Sequence, residues 1–189
     1  MSSNELENAF STVEIQRRES APDTLIEKFI PPYELDEIML MFGDIFDCIN
    51  NDGTIKPKWE MDQMGLAYLP FKIPLSYYPS IEVDKIYCHK RLISTFTNVF
   101  QTILDNNLRK HITSFSGCYV YRGKYNNRQL STHSWGISID LNAENNEHGT
   151  RGSMHHDIVD IFQTYGFEWG GSWKRKDKNP MHFQWCKGY

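Results

Sequence analysis

His133 and Asp140 stand seven positions apart in Ser131-Thr132-His133-Ser134-Trp135-Gly136-Ile137-Ser138-Ile139-Asp140, and His182 follows in Pro180-Met181-His182-Phe183-Gln184-Trp185. Two imidazoles and one carboxylate form the protein ligand set of a catalytic zinc site, with a fourth position left for water. A lone His-to-Asp spacing is weak evidence, because such residues are usually ordinary surface and hydrogen-bonding groups. The alternation around Asp140, the glycines nearby and the second His segment raise the metal reading above that bland one.

The positioning elements can be read from periodicity. From Gly136 to Asn142, Ile137, Ile139 and Leu141 fall on one face of a strand, with Ser138, Asp140 and Asn142 on the other. In the final strand His182 and Gln184 share one face, Phe183 and Trp185 the opposite one. Laying these strands side by side would bring Asp140 to His182, and His133 at the strand entry would close the triangle. Lys90 to Asn107 is the clearest helix, with Leu92, Phe96, Val99, Phe100, Ile103 and Leu104 at three- and four-residue intervals. Tyr33 to Cys48 predicts a short helix, and Ser153 to Tyr165 a further one that Gly166 stops. Ser116 to Arg122 reads as a strand, Gly123 to Gln129 as a polar loop, and the proline-rich stretch from Trp59 to Tyr78 as extended, loop-rich structure. No internal repeat is visible. These elements predict a single α+β domain, a small antiparallel sheet with flanking helices. Residues 1–22 read as a disordered or weakly helical leader, 23–86 as an accessory segment packed on the core, and 87–189 as the core itself.

Composition narrows the function classes. With 189 residues and 40% hydrophobic content, one well-filled core is expected. A net charge of −4 gives no basic field for nucleic acid, and no apolar run approaches a membrane span. The N-terminal stretch lacks the apolar region of a signal peptide, so synthesis in the cytoplasm is expected. Cys48, Cys88, Cys118 and Cys186 lack Cys-x-x-Cys spacing and read as buried thiols rather than a disulfide framework. His148, His155 and His156 form a cluster with no carboxylate evidently placed to share a metal, and read as solvated.

The pattern Ser-x-His-x-x-Gly-x-x-x-Asp, then Trp169-Gly170-Gly171-Ser172-Trp173, then Met181-His182-Phe183-Gln184 resembles the zinc D-alanyl-D-alanine carboxypeptidase and L-alanyl-D-glutamate endopeptidase family. That family includes vancomycin-resistance-type carboxypeptidases and phage endolysins. The resemblance runs from about Tyr87 to Trp185, weakens between Pro32 and Ile86, and is absent before that. It implies a zinc metallopeptidase core acting on peptidoglycan stem peptides, with His133, Asp140 and His182 as Zn2+ ligands. It further implies that Arg122 binds substrate and stabilises the oxyanion, that Ser131 hydrogen-bonds near the site, and that the Trp-Gly-Gly-x-Trp segment lines the cleft. A monomer is expected, as is action on the cell wall, in keeping with a phage lytic protein.

One position departs from the family. Where an acidic general base stands three residues before the last His, this chain has Asn179. A neutral amide cannot take the proton, and loss of a general base typically costs on the order of 10²–10⁴ in rate. Asp177 lies two residues earlier, roughly 6–7 Å away in an extended chain. Three readings stay open: Asp177 as the base, a weakened or inactive site, or another acid such as Glu168. As a fourth ligand, Cys186 would close the site and abolish catalysis.

Overall fold

The computed structural model describes residues 30–122 and 129–189. The expected leader at 1–22 and most of the polar loop at 123–129 lie outside the described residues. Pro31 to Tyr189 forms one compact unit. Its elements in chain order are α1 (Glu34–Phe42), α2 (Pro57–Gln63), β1 (Met64–Leu75), β2 (Tyr78–His89) and α3 (Ile93–Asp105). Then come β3 (Phe115–Gly117), β4 (Ser138–Leu141), α4 (His156–Thr164), β5 (Glu168–Trp169) and β6 (His182–Gln184), with short 3-10 turns between. The sheet has six strands in the order β2-β1-β3-β4-β6-β5, so the fold is α+β.

The sheet is mixed rather than purely antiparallel. β1 meets β3 in parallel at Leu75 and Phe115, while every other pairing is antiparallel. Strand β2, the turn at 90–92 and α3 intervene between them, a connection long enough to return the chain in the same direction. The stretch from Trp59 to Tyr78, read from its prolines as loop-rich, holds α2 and most of a long hairpin. Pro70 falls inside the register shift between Tyr68 and Ile73, and β1 pairs with β3 only at its end. The missing N–H of Pro70 therefore breaks no regular ladder.

The helix predicted over Lys90 to Asn107 opens with a 3-10 turn at Lys90–Leu92 and continues as α3. Phe96, Val99, Phe100 and Ile103 are its buried face, each large side chain contributing about 1.5–3 kcal/mol by leaving water. Helix α4 starts later than Ser153; His155 is its cap, its Nδ1 accepting from the Asp157 amide at 3.3 Å. Gly166, with φ of 91°, ends the segment that follows. The strand expected over Ser116 to Arg122 stops at Gly117, because the chain beyond bonds to the His133 turn instead. There, Val120 donates to the His133 carbonyl at 3.1 Å, and Ser131 to that of Arg122 at 2.9 Å.

One packing fact orients the site. Ile139 pairs with Phe183 across β4 and β6, and Phe183 stacks on Phe162 of α4 at 4.2 Å. Burying this pair in the core sends Asp140 and His182 to the other face, since side chains alternate along a strand.

Candidate metal centre

Asp140 and His182 are directly opposed in the β4–β6 register. Nδ1 of His182 lies 2.8 Å from one Asp140 oxygen, and Nε2 of His133 lies 3.2 Å from the other. The edge of a tetrahedron with zinc bonds of 2.0–2.1 Å is about 3.3 Å, so these spacings suit three ligands around one ion. The ligand atoms of His133, Asp140 and His182 all lie within 4.8 Å of one another, and all three residues are buried.

His133 sits in the 3-10 turn Thr132–Trp135, capped at its start by the Ser131 hydroxyl, which accepts from the His133 amide at 3.4 Å. Gly136 ends that turn with φ of 65°. A Cβ there would come within 2.9 Å of the His89 amide nitrogen and 2.4 Å of the Met64 methyl. Gly136 is therefore required twice, for the left-handed backbone and for the close approach of the turn to the end of β2.

The remaining nitrogen of each imidazole is held. Nδ1 of His133 donates to the Cys118 carbonyl at 2.6 Å, leaving Nε2 as the lone-pair nitrogen. That buried Nε2 has no hydrogen-bond partner, and a buried polar atom rarely goes unsatisfied. On His182, Nδ1 donates to an Asp140 oxygen at 2.8 Å and Nε2 lies 3.2 Å from the Gln184 side-chain oxygen, two contacts that fix the ring. Outer hydrogen bonds of this kind fix the tautomer and orientation of metal-binding histidines. The donor set, the orphaned Nε2 and the two fixed rings together fit Zn2+. Burial alone would raise the Asp140 carboxyl, but the neighbouring His133 and His182 outweigh it and hold Asp140 well below the ordinary carboxylate range.

Arg122 extends toward the cluster, its guanidinium 3.9 Å from Asp140 and half exposed. Its backbone is clamped by Ser134, whose hydroxyl accepts from the Arg122 amide at 3.0 Å and donates to the Arg122 carbonyl at 2.9 Å. Trp173 forms a wall, its ring 5.6 Å from that of His182 and its Nε1 donating to Glu168 at 2.6 Å. Asn179 is tied to the glycine turn, its amide donating to the Gly170 carbonyl at 2.9 Å, while its side-chain oxygen is buried without a partner. Asp177 is exposed and ends the 3-10 turn at Arg175–Asp177. Cys186 is not part of the three-residue group, and no disulfide joins the four cysteines.

The outer partners of the histidines divide in their legibility. Gln184 shares the alternating face with His182 and could be found by spacing. The Cys118 carbonyl is backbone, and nothing in residue type marks it. His155 and His156 correct the sequence reading, because Asp157 does place a carboxylate beside both.

Residues 125–185, about a third of the chain, match the family described as D-alanyl-D-alanine carboxypeptidase. That family is one of zinc-dependent metallopeptidases. No curated protein matches the chain.

Proposed function

We propose that this chain, whose residues 125–185 carry the D-alanyl-D-alanine carboxypeptidase pattern, is a zinc peptidase that hydrolyses stem-peptide bonds of bacterial peptidoglycan. The bond is either a terminal D-Ala-D-Ala link or an internal L-Ala-D-Glu link. The observation that carries this reading is the buried, partnerless Nε2 of His133 facing Asp140, with Nδ1 of His182 on the other carboxylate oxygen.

His133, Asp140 and His182 hold Zn2+ in this proposal. The ion would supply Lewis-acid polarisation of the scissile carbonyl and acidify a water for attack. Arg122 binds the substrate carbonyl or carboxylate, and its always-charged guanidinium stabilises the negative charge that develops on the carbonyl oxygen. Ser131 fixes the turn that presents His133 and lies close enough in sequence to meet substrate. In this reading an acid near Asn179, Asp177 first among them, takes the proton of the attacking water. Trp173 closes the cleft beside His182. Residues 87–189 form the catalytic core and 23–86 an accessory segment, and the chain acts as a monomer on the cell wall, as a phage lytic enzyme would. Among the described residues no helix is long and apolar enough to cross a membrane.

A second reading follows from Asn179. A zinc-containing wall-binding or virion module that has lost its base would keep the same ligands. Mass spectrometry of digested peptidoglycan separates the two, comparing the parent with Asn179→Asp and His182→Ala. Released stem-peptide fragments from the parent, abolished in His182→Ala, are the expected result. A parent that binds one zinc yet releases no new amino termini would overturn the peptidase reading and leave the binding module. A gain in Asn179→Asp of about 10²-fold or more would mean that no other acid replaces the base, whereas equal rates would assign the proton to Asp177 or another carboxylate.

A further inference from the structure

A second group of metal-ligating side chains lies apart from the site above, where the N-terminus of α4 meets the 3-10 turn Arg109–His111. His155, His156 and Asp157 offer ligand atoms that all lie within 4.8 Å of one another. Nδ1 of His156 is 2.5 Å from one Asp157 oxygen, and Nδ1 of His155 is 3.7 Å from the other. A third imidazole, His111, lies nearly flat against His155 with ring centroids 3.8 Å apart and planes 30° from parallel. The turn bearing His111 is fixed to the sheet, because the Asn142 side chain donates to the His111 carbonyl at 2.7 Å.

We propose that His155, His156 and Asp157 form a second, weaker site for a divalent transition-metal ion such as Zn2+, Ni2+ or Cu2+, on the surface and separate from the centre at His133. The donor chemistry selects these ions, since imidazole nitrogens with one carboxylate suit zinc, nickel and copper, while magnesium and calcium prefer oxygen. The carboxylate separates the two imidazoles, and its oxygens lie on the side of each. Imidazole binds such ions through a ring nitrogen. A cavity of about 170 Å3 lined by His111, His155, Asn145 and Ser153 lies on the His155 side, and the exposure of His156 leaves solvent free to complete the coordination.

Two features oppose a cation here and set the order of affinity. The positive end of the α4 dipole points at the cluster, and Lys110 lines the same cavity. His155 also gives its Nδ1 to a long cap contact, 3.3 Å from the Asp157 amide, which a metal would displace. By contrast, the His133 centre is buried and its rings are fixed from behind. The surface site therefore fills second.

Calorimetric titration of the full chain with Zn2+ and with Ni2+, after stripping with a chelator, tests this. The native protein is expected to take up two equivalents, the second more weakly. His156→Gln and the double variant His155→Ala/His156→Ala lose the second equivalent and keep the first; His156 is 81% exposed, so its substitution leaves the fold intact. His182→Ala loses the tighter equivalent and keeps the weaker. Paramagnetic Cu2+ in His182→Ala should broaden the His155 and His156 ring resonances first. A single equivalent in the native protein, or a second equivalent that survives the double variant, would overturn the proposal. Neither outcome bears on the peptidase reading, which depends on the tighter equivalent alone.

Discussion

The side chains that hold the ligands matter as much as the ligands. His182 has the right element and face, and its ring is held between Asp140 at Nδ1 and Gln184 at Nε2. The Thr132 hydroxyl supports the same arrangement, lying 3.4 Å from Nε2 and 3.5 Å from the Gln184 oxygen. Replacing Gln184 by Ala removes the acceptor and frees the ring to rotate. The expected result is a 10- to 100-fold weaker zinc affinity, about the usual cost of losing such a partner, with the fold retained. Competition against a chromophoric chelator measures it, and unchanged affinity would mean that the Asp140 contact alone orients His182. Asn179 poses the opposite case: its backbone is fixed by Gly170, while its side-chain oxygen is left without a partner.

At the scale of elements, the centre rests on one strand pair and one turn. The β4–β6 pair is set by the burial of Ile139 and Phe183, which was legible in the alternation of both segments. The turn that delivers His133 depends on Gly136, where φ of 65° and contacts to Met64 and His89 leave no room for a methyl group. Gly136→Ala is expected to cost about 1–2 kcal/mol for the left-handed backbone alone, and more from the clash with the His89 backbone. Thermal melts should show a drop of several degrees or more together with weaker metal binding, because the same turn carries His133. A variant that melts with the native protein would show that the turn can shift without cost. The prolines of β1 misled the sequence reading for a physical reason: their tolerance depends on which edge of the strand is paired, and that is a property of the sheet.

Over the whole molecule, the sheet is joined to its N-terminal helix through a buried histidine outside the metal-ligand set. His89, at the end of β2, donates from Nε2 to the Phe42 carbonyl at 3.0 Å and rests edge-on against the Phe42 ring. Burial is the main cause that lowers its pKa from 6.5 to about 4, partly offset by the Phe42 hydrogen bond. The unfolded chain takes up a proton on His89 below pH 6.5, whereas the folded chain refuses it until about pH 4. Its stabilisation is thus fully present above pH 6.5 and is lost as pH falls toward about 4, a change on the order of 3 kcal/mol. Urea unfolding of the native protein and His89→Asn across this range should show the native curve falling more steeply with acid. Parallel curves would assign the acid sensitivity to other groups.

The sequence by itself determined which side chains share a face. Strand alternation is local, so Asp140 and His182 were separable from their apolar neighbours before any fold was known, and the α3 stripe was equally plain. Tertiary structure decided what those faces meet: the direct opposition of Asp140 and His182, the Cys118 carbonyl behind His133, and the parallel pairing of β1 with β3. Each of these depends on distant backbone or on a rotamer set by packing, and neither residue type nor spacing encodes it. Asn179 shows the same division: the residue type is plain in the sequence, but where its side-chain oxygen lies depends on the loop that folds back onto Gly170.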